Sequence, residues 1–195
     1  FCGELGKNKS SFHLSNDSLK INTHAFAYNE FIDSKNVKEN NSKLSDLFKS
    51  KYIVYIDEDV PNHTDPFHHG FNKRLCNPLT FYKEINKFFE FIEKKNNCRV
   101  IIAGYPKSNY KNGENPYNRE IFFNKTLELI KNSTLVLQHN STAINYSIMM
   151  NKPVVFLSSK NYLLHYRLSI LHLADELKSK IIDISREKSW HISDQ

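Results

Sequence analysis

The chain has 195 residues, of which 39% are hydrophobic and 13% aromatic, and it carries a formal net charge of +6. This length and composition predict one compact α/β domain with a real core, alone or with an arm, and no apolar run is long enough to cross a bilayer. The lysines are scattered and the aromatic residues keep core-like spacing, which argues against nucleic acid as a partner.

The cysteines and the charge indicate the compartment and the kind of partner. Cys2, Cys76 and Cys98 are odd in number and lack metal-ligand spacing, which favours a reduced, cytoplasmic compartment. The positive charge favours anions: nucleotide phosphates, an acidic glycan, or peripheral association with the inner face of a membrane. The chain begins at Phe1 instead of Met, so we expect a fragment or a processed start, with a missing or additional domain.

Residues 1–50 are predicted to form an N-terminal arm or the remnant of a partner domain. Within them, the run NTHAFAYNEFI, residues 22–32, is typical of a strand or a short helix. The polar segment 33–50 indicates a linker that leads to a short helix. The pattern becomes regular from Lys51, so residues 51–195 are predicted to form a Rossmann-like α/β domain.

Apolar runs and helical periodicities alternate in this second part. The runs that predict buried strands are 52–56, 99–105, 134–138, 153–158 and 180–184. The segments that predict helices are 77–97, 122–133, 141–151 and 162–180. This order predicts a mostly parallel sheet with helical crossovers, whose ligand lies in the loops that follow the strands.

The segment QHNSTA lies where the third predicted strand ends and a helix begins. Ser141 or Thr142 fits the N-cap of that helix. Their hydroxyls and the unpaired N–H groups of a first helical turn predict an anion site, to which His139 adds a donor for a phosphate or a ribose. The alternative is an ordinary N-cap that follows a histidine at the end of a strand.

The segment AGYPKSNY follows the second predicted strand and combines a cation with hydroxyls. Tyr105 is placed to stack on a base, Lys107 to pair with phosphate, and Ser108 to hydrogen-bond the nucleotide. The alternative is a solvent loop in which Pro106 ends the strand. The polar stretch NYKNGENPYNRE that follows is predicted as a long loop that covers the substrate or simply lies at the surface.

The segment LVLQHNSTAINYSIMMNKPVVFL resembles the nucleotide-binding segment of GT-B glycosyltransferases, in which a strand, a His/Ser/Thr turn, a helix and another strand follow one another. The stretch IKNSTLVLQHNSTAI also resembles bacterial polysaccharide transferases that use CMP-activated acidic sugars, of the sialyl- and Kdo-transferase kind. This resemblance covers about residues 52–159 and places Ser141 and Thr142 at the Ser/Thr motif of those families. Where they carry His-Pro, this chain has Tyr105 and Pro106.

The acidic segment DEDVPNHTDPFHHG follows the first predicted strand. A glycosyl transfer needs a group that takes the proton of the acceptor hydroxyl, or a carboxylate that attacks the anomeric carbon. Asp57, at the strand end, is the most rigidly placed candidate, and Asp65 with His63 is the second.

Two metal sites compete with this interpretation of the acidic segment. Asp57 and Asp59 form the D-x-D pattern with which GT-A glycosyltransferases hold Mn²⁺ or Mg²⁺. The cluster that includes His68 and His69 is an alternative zinc site, but adjacent histidines face different ways. A polar loop with capping carboxylates is the remaining alternative.

The resemblance implies a nucleotide-sugar donor and a glycan or lipid-linked glycan acceptor. We therefore predict the nucleotide-sugar-binding half of a GT-B-like glycosyltransferase that requires no cofactor and no metal, because a helix N-terminus and cations neutralise the leaving phosphate. A GT-A-type metal-dependent transferase, a non-catalytic module that binds a glycan or a partner, and a nucleotide-sugar epimerase of related fold are the alternatives.

Overall fold

The computed structural model describes residues 26–34, 42–64, 73–108, 110 and 113–190. The contacts divide the chain into two units, Phe1–Glu39 and Asn40–Gln195. In the first unit, helix α1 spans Phe26–Ser34. The described part of the run at residues 22–32 is therefore helical, which was one of the two predicted forms.

Strands and helices alternate through the second unit. The strands are β1 Tyr52–Ile56, β2 Arg99–Gly104, β3 Ile121–Phe123, β4 Leu135–Gln138, β5 Val154–Ser158 and β6 Lys180–Asp183. The α-helices are α2 Ser42–Leu47, α3 Pro78–Asn96, α4 Thr126–Asn132, α5 Ile144–Met149 and α6 Leu164–Glu176. Short 3-10 helices cover Val60–Asn62 and Glu187–Ser189.

The strands of the described residues form one six-stranded sheet in the order β3-β2-β1-β4-β5-β6. Every neighbouring pair is parallel. This is the strand order of a doubly wound Rossmann-type sheet, so the predicted fold class is confirmed. The order reverses between β1 and β4, and ligands of such sheets bind at that point, beyond the carboxyl ends of the strands.

The two faces of the sheet bury different helices. Because side chains alternate along a strand, β1 sends Ile53 and Tyr55 to one face and its remaining residues to the other. Helix α3 packs on the Tyr55 face through the stripe that its spacing predicts: Phe81, Ile85, Phe88, Phe89 and Ile92. Asn77 caps α3, since its side-chain oxygen accepts the N–H of Thr80 at 3.1 Å.

Helix α2 belongs to the second unit. Leu44 and Leu47 are buried and pack with Tyr52 and Val54 of β1 on the face opposite α3. The sequence pattern placed the start of the α/β unit at Lys51, but the structure includes the preceding helix α2 in this unit.

One predicted helix is wrong at its beginning. The segment 122–133 was predicted as helical throughout, but Ile121–Phe123 is the edge strand β3 and α4 starts at Thr126. β3 has only three residues, all half-buried, so its short apolar run merges with the apolar pattern of the following helix. None of the described helices combines the length and apolar character needed to cross a membrane.

Gly104 allows β3 to lie against the end of β2. A Cβ at this position would lie 2.6 Å from Cγ2 of Ile121 and 2.7 Å from Cε1 of Phe123. We expect Gly104→Ala to lower the free energy of unfolding by about 2 kcal/mol, because the side chains of Ile121 and Phe123 must shift from their packed positions. Urea unfolding measures this change. Gly113→Ala is the matched control, since a Cβ there meets no atom within 4 Å; equal effects of the two variants would refute the steric account.

Candidate functional site

The residues that follow β1 and β4 meet at the point where the strand order reverses. Residues 57–59 follow β1, and residues 139–142 follow β4. The Asn140 N–H donates to Oε1 of Glu58 at 2.7 Å, which joins the two segments directly. We call these two segments together the switch-point edge.

Asp57 is a buried acceptor for four hydrogen bonds. Its Oδ1 accepts the N–H of Asp59 at 2.9 Å and the hydroxyl of Tyr117 at 2.5 Å. Its Oδ2 accepts the N–H of Tyr105 at 3.3 Å and the hydroxyl of Tyr110. A carboxylate offers about four acceptor positions, so these donors occupy its capacity. Asp57 therefore ties the loops after β1 and β2 together, and this arrangement leaves no position for a substrate proton.

Burial raises the pKa of the Asp57 carboxyl above its usual range, because the hydrogen bonds that favour the charged form only partly offset the loss of hydration. Among the described residues, Asp57 has no lysine or arginine partner. The pKa values of the Tyr110 and Tyr117 hydroxyls are raised in turn by burial and by Asp57. Both hydroxyls therefore keep their protons and remain donors.

Glu58 is the second buried carboxyl of the switch-point edge. Besides the Asn140 N–H, it faces the hydroxyl of Tyr166 from α6, which donates to Oε2 over 3.4 Å. Burial, and to a smaller extent the neighbouring Asp57, raises the pKa of Glu58 to about 7. The backbone N–H of His139 also favours the charged form of Glu58, so its described donors are three where Asp57 has four, and Glu58 changes charge close to neutral pH.

The surroundings of His139 differ from those that its predicted role in ligand binding requires. Its ring is fully buried, where Nδ1 donates to the carbonyl of Leu157 at 2.8 Å and Nε2 accepts the hydroxyl of Tyr55 at 3.0 Å. Burial lowers the pKa of His139 to about 4, so the ring is neutral at pH 7 and each nitrogen has one internal partner. The ring therefore ties β4 to β5 and β1, and it is not the donor to phosphate or ribose that the sequence predicted.

The polar turn after β4 also differs from its prediction. The N-cap residue of α5 is Ala143, and the helix starts at Ile144, three residues later than predicted. Ser141 accepts the N–H of Ala143 on its own hydroxyl oxygen at 3.3 Å, and Thr142 is exposed. Residues 140–142, here called the 140–142 turn, lead into this helix, since the carbonyls of Ser141 and Thr142 accept the N–H groups of Ile144 and Asn145 at 3.2 and 3.3 Å. The outer hydroxyl of this turn belongs to Thr142.

The loop after β2 brings three predicted nucleotide-binding residues to the same end of the sheet. Lys107 is exposed, and Tyr105 is half-buried with its ring stacked on His63 at 5.6 Å and an angle of 26°. His63 comes from the loop after β1, so two separately predicted site residues are in contact. Ser108 is buried, which removes its hydroxyl from the exposed surface of this loop.

The metal interpretations gain no support from the described residues. Asp59 has a left-handed φ of 47°, which aspartate tolerates, and its Oδ1 accepts from Asn62 at 2.9 Å and from Tyr82 at 3.3 Å. Within the described ranges, no group of three or more His, Cys, Asp or Glu side chains is arranged to hold a metal ion. Asp65, His68 and His69 lie outside the described residues.

The residues that sequence reasoning missed are Glu58 and the tyrosines that donate to Asp57. Tyr110 and Tyr117 come from the stretch that was predicted as a polar loop. The available signal was the carboxylate itself, because an aspartate that directly follows a buried strand needs donors from a neighbouring segment.

Comparison with known proteins yields low similarity. No protein-family model matches the chain, and no curated protein matches it. A UDP-GlcNAc 2-epimerase of Methanocaldococcus jannaschii, solved with UDP-GlcNAc and UDP, is 13% identical over 74% of this chain and 39% of its own, with a TM-score of 0.42. The glycotransferase of kitacinnamycin is 16% identical over 70% of this chain and 31% of its own, with a TM-score of 0.41. The chain thus spans less than two fifths of either protein.

Proposed function

We propose that this chain is the donor-binding half of a glycosyltransferase and that it holds a nucleotide sugar at the switch-point edge. The observation that carries the proposal is the position of the 140–142 turn, which leaves β4 where the strand order reverses. Ligands of doubly wound sheets bind at this place. The turn presents the hydroxyls of Ser141 and Thr142 there, and it meets Glu58 from β1.

The neighbouring loops supply the other groups that a nucleotide needs. Lys107 follows β2, two strand spacings or about 10 Å from β4, and its exposed ammonium is the cation for the phosphate. The stacked rings of Tyr105 and His63 offer an aromatic face to the base. Phosphate on the 140–142 turn and base on the Tyr105 side would lay the nucleotide across β4, β1 and β2.

The sugar and the acceptor would lie towards a second domain. Asp57 has its acceptor positions filled, so we assign it a positioning role in place of the predicted reactive one. Asp65 remains the candidate for the acceptor proton, because the ring of His63 is stacked on Tyr105 at the base side, and the proposal includes no metal or cofactor. A CMP-linked acidic sugar as donor and a glycan or lipid-linked glycan as acceptor rest on the resemblance of the QHNSTA segment.

The proposal is tested by a thermal-shift panel of CMP, CDP, UDP and GDP. A nucleotide that binds only the folded state stabilises it by about 2.7 kcal/mol at a concentration of about 100 times Kd, so one member of the panel should raise Tm. Thr142→Val should abolish this shift and leave Tm without nucleotide unchanged, because the Thr142 side chain is exposed and removing its hydroxyl changes no core contact.

Thr126→Val is the matched control. Thr126 begins α4 after β3, at the far edge of the sheet and three strands from β4, so its variant should keep the full nucleotide shift. A shift that survives in Thr142→Val removes the 140–142 turn from the binding site. If none of the four nucleotides changes Tm of the wild type, donor binding itself is refuted.

A further inference from the structure

Glu58 accepts a backbone N–H of the 140–142 turn, which is the turn that holds the phosphate in the proposed function. The Asn140 N–H is the first of that turn, and it points to Oε1 of Glu58 at 2.7 Å. The Asn140 side chain is held as well, since its Nδ2 donates to the hydroxyl of Ser169 in α6 at 3.3 Å. The turn is thus fixed with one of its N–H groups already bound to an anionic oxygen of the protein.

A phosphate at this turn would lie beside the Glu58 carboxylate. Glu58 is only 8% exposed, so little water screens the repulsion between the two anions. Among the described residues, Glu58 has no lysine or arginine partner that would neutralise it. The ionised carboxylate and a bound phosphate therefore compete for one N–H and repel each other.

Titratable groups face Glu58 from β1, from the end of β4, from the loop after β5 and from α6: Asp57, Tyr55, His139, Tyr162 and Tyr166. The pKa values of the three tyrosines are raised by burial and by nearby carboxylates, and the pKa of His139 is lowered by burial to about 4. These four groups are uncharged at neutral pH. Asp57, whose hydrogen bonds are filled, is the carboxyl in this set.

We propose that Glu58 determines how the switch-point edge binds an anion: a phosphodiester takes the Asn140 N–H only when the Glu58 carboxyl is protonated, so that binding a nucleotide sugar takes up one proton. The proposal rests on the proposed function. In the bound state the carboxyl O–H donates to a phosphate oxygen that also accepts the Asn140 N–H. No covalent bond forms or breaks, and the proton comes from solvent.

The test measures the affinity of the full chain for CMP-N-acetylneuraminate and UDP-N-acetylglucosamine by calorimetry, as a function of pH. Neither the phosphodiester of the CMP-linked sugar nor the diphosphate diester of the UDP-linked sugar titrates near neutral pH, so a slope reports the protein. Because the pKa of Glu58 is about 7, Kd of the wild type should rise about tenfold per pH unit above that value. At about pH 8.5, titration in buffers of different ionisation enthalpy should show the uptake of about one proton for each ligand bound.

The variant Glu58→Gln mimics the protonated carboxyl, since its amide oxygen can accept the Asn140 N–H and its NH₂ group can donate to phosphate. Its Kd should not change with pH, and at about pH 8.5 it should bind about 30-fold more tightly than the wild type. Glu84→Gln is the control. Glu84 accepts from Ser159 at 2.9 Å and from Asn161 at 2.6 Å in the loop after β5, and its variant should keep the wild-type slope.

The outcomes separate this inference from the proposed function. Binding that is independent of pH in the wild type, or a slope that persists in Glu58→Gln, overturns the role of Glu58 and leaves donor binding intact. Weaker binding of Glu58→Gln at every pH would make Glu58 an acceptor for ligand hydroxyls, which also overturns it. If the wild type binds neither ligand at about pH 6, the proposed function fails and this inference fails with it.

Discussion

Replacing Glu58 with glutamine should raise the free energy of unfolding by about 3 kcal/mol above pH 8 and leave it unchanged below about pH 4. Burial raises the pKa of this carboxyl from 4.5 to about 7 in the folded protein. The folded state therefore binds the proton more tightly than the unfolded chain, and stability falls as pH rises through this interval. Each pKa unit is worth about 1.4 kcal/mol, so the interval from 4.5 to about 7 corresponds to about 3 kcal/mol.

The glutamine side chain can keep the hydrogen bonds of Glu58 to Asn140 and Tyr166. Its oxygen accepts the Asn140 N–H, and its NH₂ group donates to the hydroxyl oxygen of Tyr166, so the substitution removes the charge and little else. Urea unfolding at about pH 4, 6 and 8.5 measures the effect. Glu90→Gln, on the exposed face of α3, is the control and should follow the wild type at each pH. A Glu58→Gln profile parallel to the wild type would show that Glu58 is hydrated in the folded protein.

The parallel sheet could be predicted because most strands are continuous apolar runs. Residues 52–56 and 154–158 are buried almost throughout, so each stands out against the amphipathic helices around it, and their alternation with helices requires parallel pairing. β3 could not be separated from α4, since Ile121–Phe123 gains its strand form only from pairing with Ile102, Ala103 and Gly104 of β2. That pairing is a tertiary effect, which the local pattern does not contain.

The alternation of side chains along the strands predicts which site residues are buried better than the spacing of the motifs does. His139 lies two residues after Leu137, so its ring shares the buried face that packs on α3. Asp57 likewise lies two residues after Tyr55 and points to the same face. Both residues follow strands as predicted, but their side chains turn into the core. The predicted site residues that are exposed lie further along the turns, beyond the ends of the strands, such as Thr142 and Lys107.

The partners of Asp57 could not be predicted, because their sequence separation is large. Tyr110 and Tyr117 lie 53 and 60 residues after Asp57, in a stretch whose composition is that of a surface loop. These hydroxyls are buried because they donate to a carboxylate that has no cationic partner among the described residues, and this contact exists only in the folded chain. The same fold explains why the stretch needs two tyrosines, whose rings pack edge to face at 5.8 Å.

Replacing Asp57 with alanine should lower the free energy of unfolding by about 3 kcal/mol. The substitution leaves four donors without their acceptor, namely two backbone N–H groups and the hydroxyls of Tyr110 and Tyr117. Each loss costs about 1 to 2 kcal/mol. Relief of a buried charge offsets part of the sum, since burial raises the pKa of Asp57. The lost hydrogen bonds are the larger effect because they are four in number.

A double-mutant cycle with Tyr117→Phe separates these hydrogen bonds from a general packing defect. Tyr117→Phe alone should cost about 1 kcal/mol, and in the Asp57→Ala background its cost should disappear, because the hydroxyl has already lost its acceptor. Tyr52→Phe is the control: its buried hydroxyl donates to the carbonyl of Leu129 at 2.8 Å on the opposite face of the sheet. Its effect should therefore add fully to that of Asp57→Ala. If Tyr117→Phe is also additive, Asp57 does not hold the loops after β1 and β2 together, and its carboxylate becomes available again for a reactive role.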